Sequence, residues 1–382
     1  MALGHDAMKN QHNPIVDNKN TRCQLSYNIF KCNGASVPQI ERDTTMLNFD
    51  EQRFLRIQTG AVSLRTRLDQ VIASCLSAGA ENVFFLGTGG AAILMQPAAQ
   101  LLQAKSRFPA FVGLPAELVI TGSANLTEKS IVVMPSLSGT TKESVALLAK
   151  LKEIGATVLT LVGHAETPLG KGGDHVFVNF AEDDTSCESF YLQSLFIALS
   201  IMKHRGEIAN YEQLATELSQ LPKLLIEVKR AYEPKAEAFA RTLAASDYHI
   251  VTGAGNVWPQ AFYYGMCILE EMQWIRTRPV HASDFFHGTL ELVEKDVSVI
   301  LFKGEDALRP LAERIENFAP NYTDKLTVLD TAQFDLPGIS SEVRAMISPV
   351  LLATVLERIS AHLEVLRDHP LTTRRYYKQV AY

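Results

Sequence analysis

The sequence lacks the cysteine pattern of a disulfide scaffold. Its 5 cysteines (Cys23, Cys32, Cys75, Cys187 and Cys267) are scattered, and no CxxC occurs. An odd, dispersed set fits reduced thiols and argues against a zinc knuckle. No apolar run stands out as long enough to span a bilayer, and the N-terminal stretch has no apolar signal-peptide core, so no membrane partner and a cytoplasmic location are expected. No Lys/Arg-rich run or basic helix face interrupts a net charge of −6, which disfavours a nucleic-acid partner. Two nucleotide signatures are also missing. There is no GxxxxGK[ST], and neither "GTGG" nor "TGAG" completes GxGxxG.

What is present is apolar material in a repeating order. The chain has 382 residues, of which 47% are hydrophobic, enough for about two domains. Residues 1–45 are polar, turn-rich and without period, as in "MKNQHNPIVDNKNTRCQ", and are expected to be a poorly ordered extension. Met46 is therefore a candidate start of the biological chain. From there short apolar runs alternate with helical patterns. Strands are expected at 82–87, 116–122, 129–136, 157–163 and 174–180, with helices between and after them. The order recurs with strands at 248–255, 297–304 and 325–330 and a last long helix at 348–366. Buried strands alternating with helices predict an α/β fold of two tandem units, each a parallel sheet flanked by helices. The expected division is 46–207, 208–366 and a C-terminal tail at 367–382 lying at the active site.

"MPSLSGTTKESV" (134–145) is the most informative stretch of the first unit. A strand ends at Pro135 and a helix begins near Thr141, so free backbone N–H groups at the helix start attract an anion. Ser136, Ser138, Thr140 and Thr141 add neutral donors, and Gly139 lets the backbone approach closely. A simple N-cap needs only one hydroxyl; four around one glycine point to a phosphate ester.

In the second unit, Glu270 and Glu271 stand near the end of a helix opened by Pro259. Carboxylates there oppose the helix dipole, a hint of function weighed against an ordinary charged helix end. "HASDFFHG" (281–288) then offers His281, Asp284 and His287. It lacks a convincing third ligand for a metal, and none is expected.

The strand ending in "LGTGG" followed by "SLSGTT" at a helix head resembles the SIS (sugar isomerase) domain family. That resemblance implies two SIS domains, each a five-stranded parallel sheet with ligands bound at the carboxyl ends of the strands. It assigns the phosphate to Ser136, Ser138, Gly139, Thr140 and Thr141, with Thr88 and Gly89 in the first turn, where family aminotransferring members usually carry serine after the threonine. The family's sugar-isomerising and deglycating enzymes place a helix-end glutamate a fixed interval before the histidine of an "[EQ]-[LF]-x-H-G" loop. Here 287 − 271 = 16 matches that interval and selects Glu271 as base and His287 as acid, with Asp284 where the family usually has Glu. Both are expected beyond the strand ends, where ligand crevices of parallel sheets occur.

No glutaminase segment, two SIS units, no helix-turn-helix extension and the tail "LRDHPLTTRRYYKQVAY" (366–382) favour the family's deglycase branch. The implied reaction cleaves a 6-phosphorylated Amadori compound to glucose 6-phosphate and a free amino acid, through an enaminol and a Schiff base, with no cofactor. A homodimer with composite sites is implied, the histidine loop reaching the neighbouring subunit. Alternatives are an aldose–ketose phosphosugar isomerase or aminosugar-phosphate deaminase, and a non-catalytic phosphosugar sensor. By position, Glu188 is either a contact for the substrate amine or a helix-start carboxylate, and Lys378 resembles the ring-opening lysine of the synthases. Arg276 and Arg278 are either a grip for a substrate carboxylate or solvated charge. His281 is expected to be structural or a rim residue.

Overall fold

The computed structural model describes residues 46–181, 186–377 and 379–381. The expected N-terminal extension and Lys378 lie outside them. Two helices, α1 (Glu51–Ser63) and α2 (Arg65–Ser77), precede β1 (Asn82–Leu86), α3 (Gly89–Ile93) and α4 (Gln96–Lys105). Then come β2 (Ala110–Gly113), α5 (Pro115–Thr121), β3 (Ser130–Ser136), α6 (Lys142–Ile154), β4 (Thr157–Val162), α7 (Pro168–Gly172) and β5 (His175–Val178). Two long helices follow, α8 (Ser186–His204) and α9 (Tyr211–Ala244). The second sheet is built from β6 (Tyr248–Gly253), β7 (Arg276–His281), β8 (Ser298–Lys303) and β9 (Leu326–Asp330). Helix α10 (Trp258–Tyr263) runs on as a π-helix (Tyr264–Glu270) before β7; α11 (Ala282–Phe285), α12 (Arg309–Phe318) and α13 (Ser341–Leu366) complete the chain.

Both sheets are wholly parallel, in the orders β2-β1-β3-β4-β5 and β7-β6-β8-β9. Each begins on an inner strand, visits one edge and crosses to the other side. The switch points, where ligand crevices form, therefore lie between β1 and β3 and between β6 and β8. The second sheet has four strands rather than the expected five. After β9 the chain passes through "FDLPGIS" (334–340), where Pro337 offers no ladder donor and Gly338 has φ 81°, and turns straight into α13.

Two further elements differ from the sequence reading. Residues 116–122 fall in helix α5, not a strand: Pro115 occupies its first turn with Glu117 beside it, and Gly122 closes it at φ 66°. A short apolar run has no period long enough to separate the two states. Strand β7, "RTRPVH", was not expected. It is an edge strand, so Arg276 and Arg278 stay exposed and Pro279 leaves no essential donor missing.

One apolar core serves both sheets. Val83 and Ile131 of the first, Val251 and Ile300 of the second, and the buried faces of α8, α9 and α13 belong to one cluster. The expected boundary at 207/208 falls in the turn between α8 and α9, and the described residues on both sides form one compact unit. Helix α13 does have the length and apolarity to cross a membrane, beyond what the sequence reading allowed. However, 83% of its most apolar window is buried inside the fold, as in the core helix of a globular protein.

The units interlock at Gly90. A Cβ there would lie 2.6 Å from Cε2 of Tyr263 and 3.5 Å from Sγ of Cys267. Gly90→Val should therefore overpack this contact and lower stability by roughly 1–3 kcal/mol, read as a lower urea midpoint. An unchanged midpoint would show that α3 and α10 are not in tight contact.

Candidate active site

The hydroxyl loop forms the turn from β3 into α6. Ser136, buried at the strand end, accepts the Gly139 N–H on both its carbonyl oxygen and its Oγ, each at 3.1 Å. Thr140 Oγ1 lies 3.2 Å from Ser138 Oγ, and Ser136 Oγ lies 3.4 Å from Thr141 Oγ1. Gly139 has φ 64°, and a Cβ there would meet Oγ1 of Thr167 at 2.0 Å, so both conformation and space require glycine. Thr141 caps α6 without a side-chain bond to its first turn, leaving those N–H groups for a ligand. Across the switch point, Thr88 and Gly89 are exposed at the head of α3, and Gly89 sits at φ 59°.

The second sheet repeats this backbone with different chemistry. Gly255 follows β6 at φ 60°, matching Gly89 after β1. The turn after β8, however, brings in Asp306, whose carboxylate accepts the N–H groups of Asn256 (2.8 Å) and Leu308 (2.9 Å). The second crevice thus holds its own anion, whereas the first offers only neutral donors.

Glu271 caps the π-helix. Its N–H donates to Met266 O at 3.1 Å, and Gln273 N–H to Ile268 O at 3.1 Å, both the wide i→i−5 pattern. Such turns are rare and recur at functional sites. The next turn is strained: Trp274 adopts φ 55°, uncommon for a bulky residue. Glu271 lies one helical turn past Cys267, the residue facing Gly90. It borders a cavity of about 760 Å³ whose opposite wall is the C-terminal tail. Arg374 Nε of that tail donates to Glu271 Oε1 at 3.0 Å, while Arg374 Nη1 donates to Leu371 O and Thr373 O. The guanidinium is thereby fixed in aim. Glu270 lines the same cavity and accepts from Thr277 Oγ1 at 2.6 Å. Sequence reasoning missed Arg374 and Trp274; no local pattern links a tail arginine to a glutamate 103 positions earlier.

His287 and Glu271 were both expected beyond strand ends where crevices form. The structure places Glu271 before β7, at the amino edge of the second sheet, and His287 after it, at the carboxyl edge. The six residues of β7 between them span roughly 17–20 Å. The interval of 16 is therefore a strand's length plus its flanking turns, and one chain does not bring the two side chains together. His287 is exposed, its N–H bonded to Asp284 O, and Asp284 is exposed beside it. His281 caps α11, its Nδ1 accepting from Ser283 N–H at 3.1 Å; burial lowers its pKa, against the pull of Asp284.

Glu188 lies in neither cavity wall. It is 1% exposed, with Oε1 3.3 Å from Thr354 Oγ1 and 3.6 Å from Nζ of Lys229, a lysine that is itself fully buried. Lys229 also donates to Thr354 O (3.0 Å) and Glu357 (2.7 Å). Of the two alternatives expected for Glu188, the helix-start carboxylate holds: it stands in the first turn of α8, where it also joins a charge cluster inside the core. Burial pushes its carboxyl up to about 6 despite Lys229.

With this geometry established, comparison with known proteins adds four findings. The SIS domain family matches residues 78–203. Fructosamine deglycase FrlB of Bacillus subtilis (strain 168) is 30% identical over 307 residues, 79% of this chain and 93% of its own. Fructoselysine 6-phosphate deglycase of Escherichia coli (strain K12) is 24% identical, covering 78% of this chain and 85% of its own. A crystal structure of a candidate phosphosugar isomerase from Bacillus subtilis superposes with a TM-score of 0.78 at 29% identity, over 84% of this chain and 99% of that one.

Glu188 gives a pH test of the core. Its folded pKa is raised from 4.5 to about 6, so the fold favours the protonated acid. That contribution is complete below 4.5 and is lost as pH rises through about 6. Relative to Glu188→Gln, the wild type should lose on the order of 2 kcal/mol across this window. Urea denaturation at several pH values measures it, and parallel stability curves for the two proteins would refute the assignment.

Proposed function

Because the chain belongs to the SIS domain family, we propose that it is a phosphosugar deglycase, acting on a 6-phosphorylated sugar joined through C1 to the nitrogen of an amino acid. The observation that carries this reading is the position of Glu271: a carboxylate at the end of a π-helix, held by Arg374 on a cavity, and one helical turn past the Cys267 that packs toward Gly90 in the first unit. The relative at 30% identity, itself a fructosamine deglycase, supports the same class.

The chemistry follows from the groups. In the open-chain substrate C2 is a carbonyl and C1 carries the amine. Glu271 takes a proton from C1; the electron pair forms the C1–C2 double bond and C2–O gains a proton, giving an enaminol. Return of a proton to C2 leaves a C1–N double bond. Water adds to C1, the C1–N bond breaks, and the nitrogen leaves with a proton as the free amino acid, while C1 becomes the aldehyde of glucose 6-phosphate. The developing charge is spread over O2 and the nitrogen. Ser136, Ser138, Gly139, Thr140 and Thr141, with Thr88 and Gly89, hold the phosphate through N–H and hydroxyl donors. Lys378 is a further candidate for ring opening.

His287 supplies the acid at the ring oxygen or the leaving nitrogen. Since β7 separates it from Glu271 within one chain, the working site is composite: Glu271 and the hydroxyl loop from one subunit, His287 and Asp284 from a second copy.

Three measurements test this reading. The protein should release glucose 6-phosphate from at least one member of a panel of 6-phosphorylated fructosamines of different amino acids, and failure with all of them would remove the deglycase assignment. Glu271→Gln and His287→Ala should each be inactive alone, yet regain activity when co-expressed, because a mixed dimer holds one intact composite site; no recovery would place both groups in one chain. Arg374→Gln should lower kcat by roughly tenfold or more through loss of a charge-assisted bond to Glu271, with partial recovery in Arg374→Lys. Equal loss in both variants would deny Arg374 a role in orienting the base.

A further inference from the structure

The cavity between Glu271 and the tail contains more positive charge than its own carboxylates use. Glu270 is bonded by Thr277 and Glu271 by Arg374. Two more arginines line the space, Arg276 at the start of β7 and Arg375 in the tail, and neither has a carboxylate partner among the described residues. Arg375 is nonetheless placed. Its guanidinium carbon lies 4.1 Å from the ring centroid of Trp274, the residue held at φ 55°, and that ring meets His369 edge-on at 4.5 Å. Stacking fixes the plane of a guanidinium without consuming its N–H donors, which remain free for bidentate contact with a carboxylate. A volume of about 760 Å³ and the flanking Tyr248, Ile275 and Tyr376 suit a small organic group with an anionic end.

We infer that this cavity is the subsite for the amino-acid half of the substrate, with Arg375 and Arg276 binding its α-carboxylate and Trp274 setting the position of Arg375. The inference rests on the deglycase reading and extends it. In such a substrate the phosphate is on C6 and the amine on C1, at opposite ends of the carbon chain. With the phosphate in the hydroxyl loop and C1 at Glu271, the amine substituent projects beyond Glu271. The tail cavity is the space that borders Glu271. Recognition by the α-carboxylate, common to all amino acids, would tolerate several side chains. Arg278 lies two residues further along the same exposed face of β7 and is not part of the cavity wall.

The test compares two substrates: a 6-phosphofructosyl amino acid and its decarboxylated counterpart, the same sugar phosphate on the corresponding plain amine. The wild type should prefer the carboxylate-bearing compound in kcat/KM by roughly tenfold or more, the worth of one charge-assisted pair. Arg375→Gln and Arg276→Gln should each narrow that preference, chiefly through KM, and the double variant should bring the ratio close to one. Arg278→Gln should keep the wild-type ratio. A wild-type ratio already near one overturns the inference and leaves the deglycase reading standing. Equal losses on both substrates in the double variant overturn it too, because the arginines would then be serving the phosphate. If the wild type turns over neither compound, nor any other fructosamine 6-phosphate, the deglycase reading itself fails and the inference with it.

Discussion

Everything at the candidate site depends on the two sheets sharing one core. Helix α8 is buried on every side from Cys187 to Met202, and α13 presents apolar residues all round. A helix of that kind has no solvent face and must be enclosed. The enclosure is provided jointly: α13 packs on α9 and α8, and the same cluster reaches strands of both sheets. Because the core is common, the carboxyl edge of the first sheet and the helix leading to Glu271 meet at a fixed place. Gly90 and Tyr263 mark it, with no room for a side chain between them. The helix end of one unit and the turn of the other are held in register by this shared interior.

Irregular backbone is concentrated at the same place. The π-helix, the left-handed Trp274 and an edge strand follow one another from Tyr264 to His281. Each departs from the cheapest local geometry, and each sits against the tail cavity. Trp274 is 40% exposed, yet its ring contacts Arg375 and His369, and Gln273 is bonded to His369 O at 2.7 Å. A left-handed residue tied down by such contacts points to an imposed backbone path after Glu271.

Legibility in the sequence followed how local the determining physics is. The buried strands β1, β3, β4, β6 and β8 announce themselves as apolar runs because both faces of a parallel sheet are covered. The hydroxyl loop was readable because its donors are contiguous in sequence. The misread segments have short or mixed signals. "ELVIT" is too brief to show a helical period, and "RTRPVH" reads as a loop because an edge strand keeps its charges in water. The place of Glu188 at a helix start was legible, but its burial was not, because its environment is assembled by Lys229 and Thr354, which are far away along the chain. Arg374 and Arg375 were invisible as partners of Glu271 and Trp274 for the same reason. The 16-residue interval was legible as a number, but its meaning, a strand with one residue at each end, required the fold.

The two crevices share a backbone but differ in charge. Gly89 and Gly255 have the same left-handed backbone after equivalent strands, so the duplicated units retain the same turn. Only the first turn keeps neutral donors; the second is satisfied internally by Asp306, and a like charge there opposes phosphate. The second turn also lines a cavity of about 710 Å³ with Gly255, Asn256, His281 and Asp306, so the two units differ in the charge they present and not in having a crevice. His287 and Asp284 are exposed at the carboxyl edge of the second sheet, whereas Glu271 stands at its amino edge. A change in the length of β7 would therefore move the loop that carries His287 relative to Glu271, because the strand sets where that loop is presented relative to the shared core.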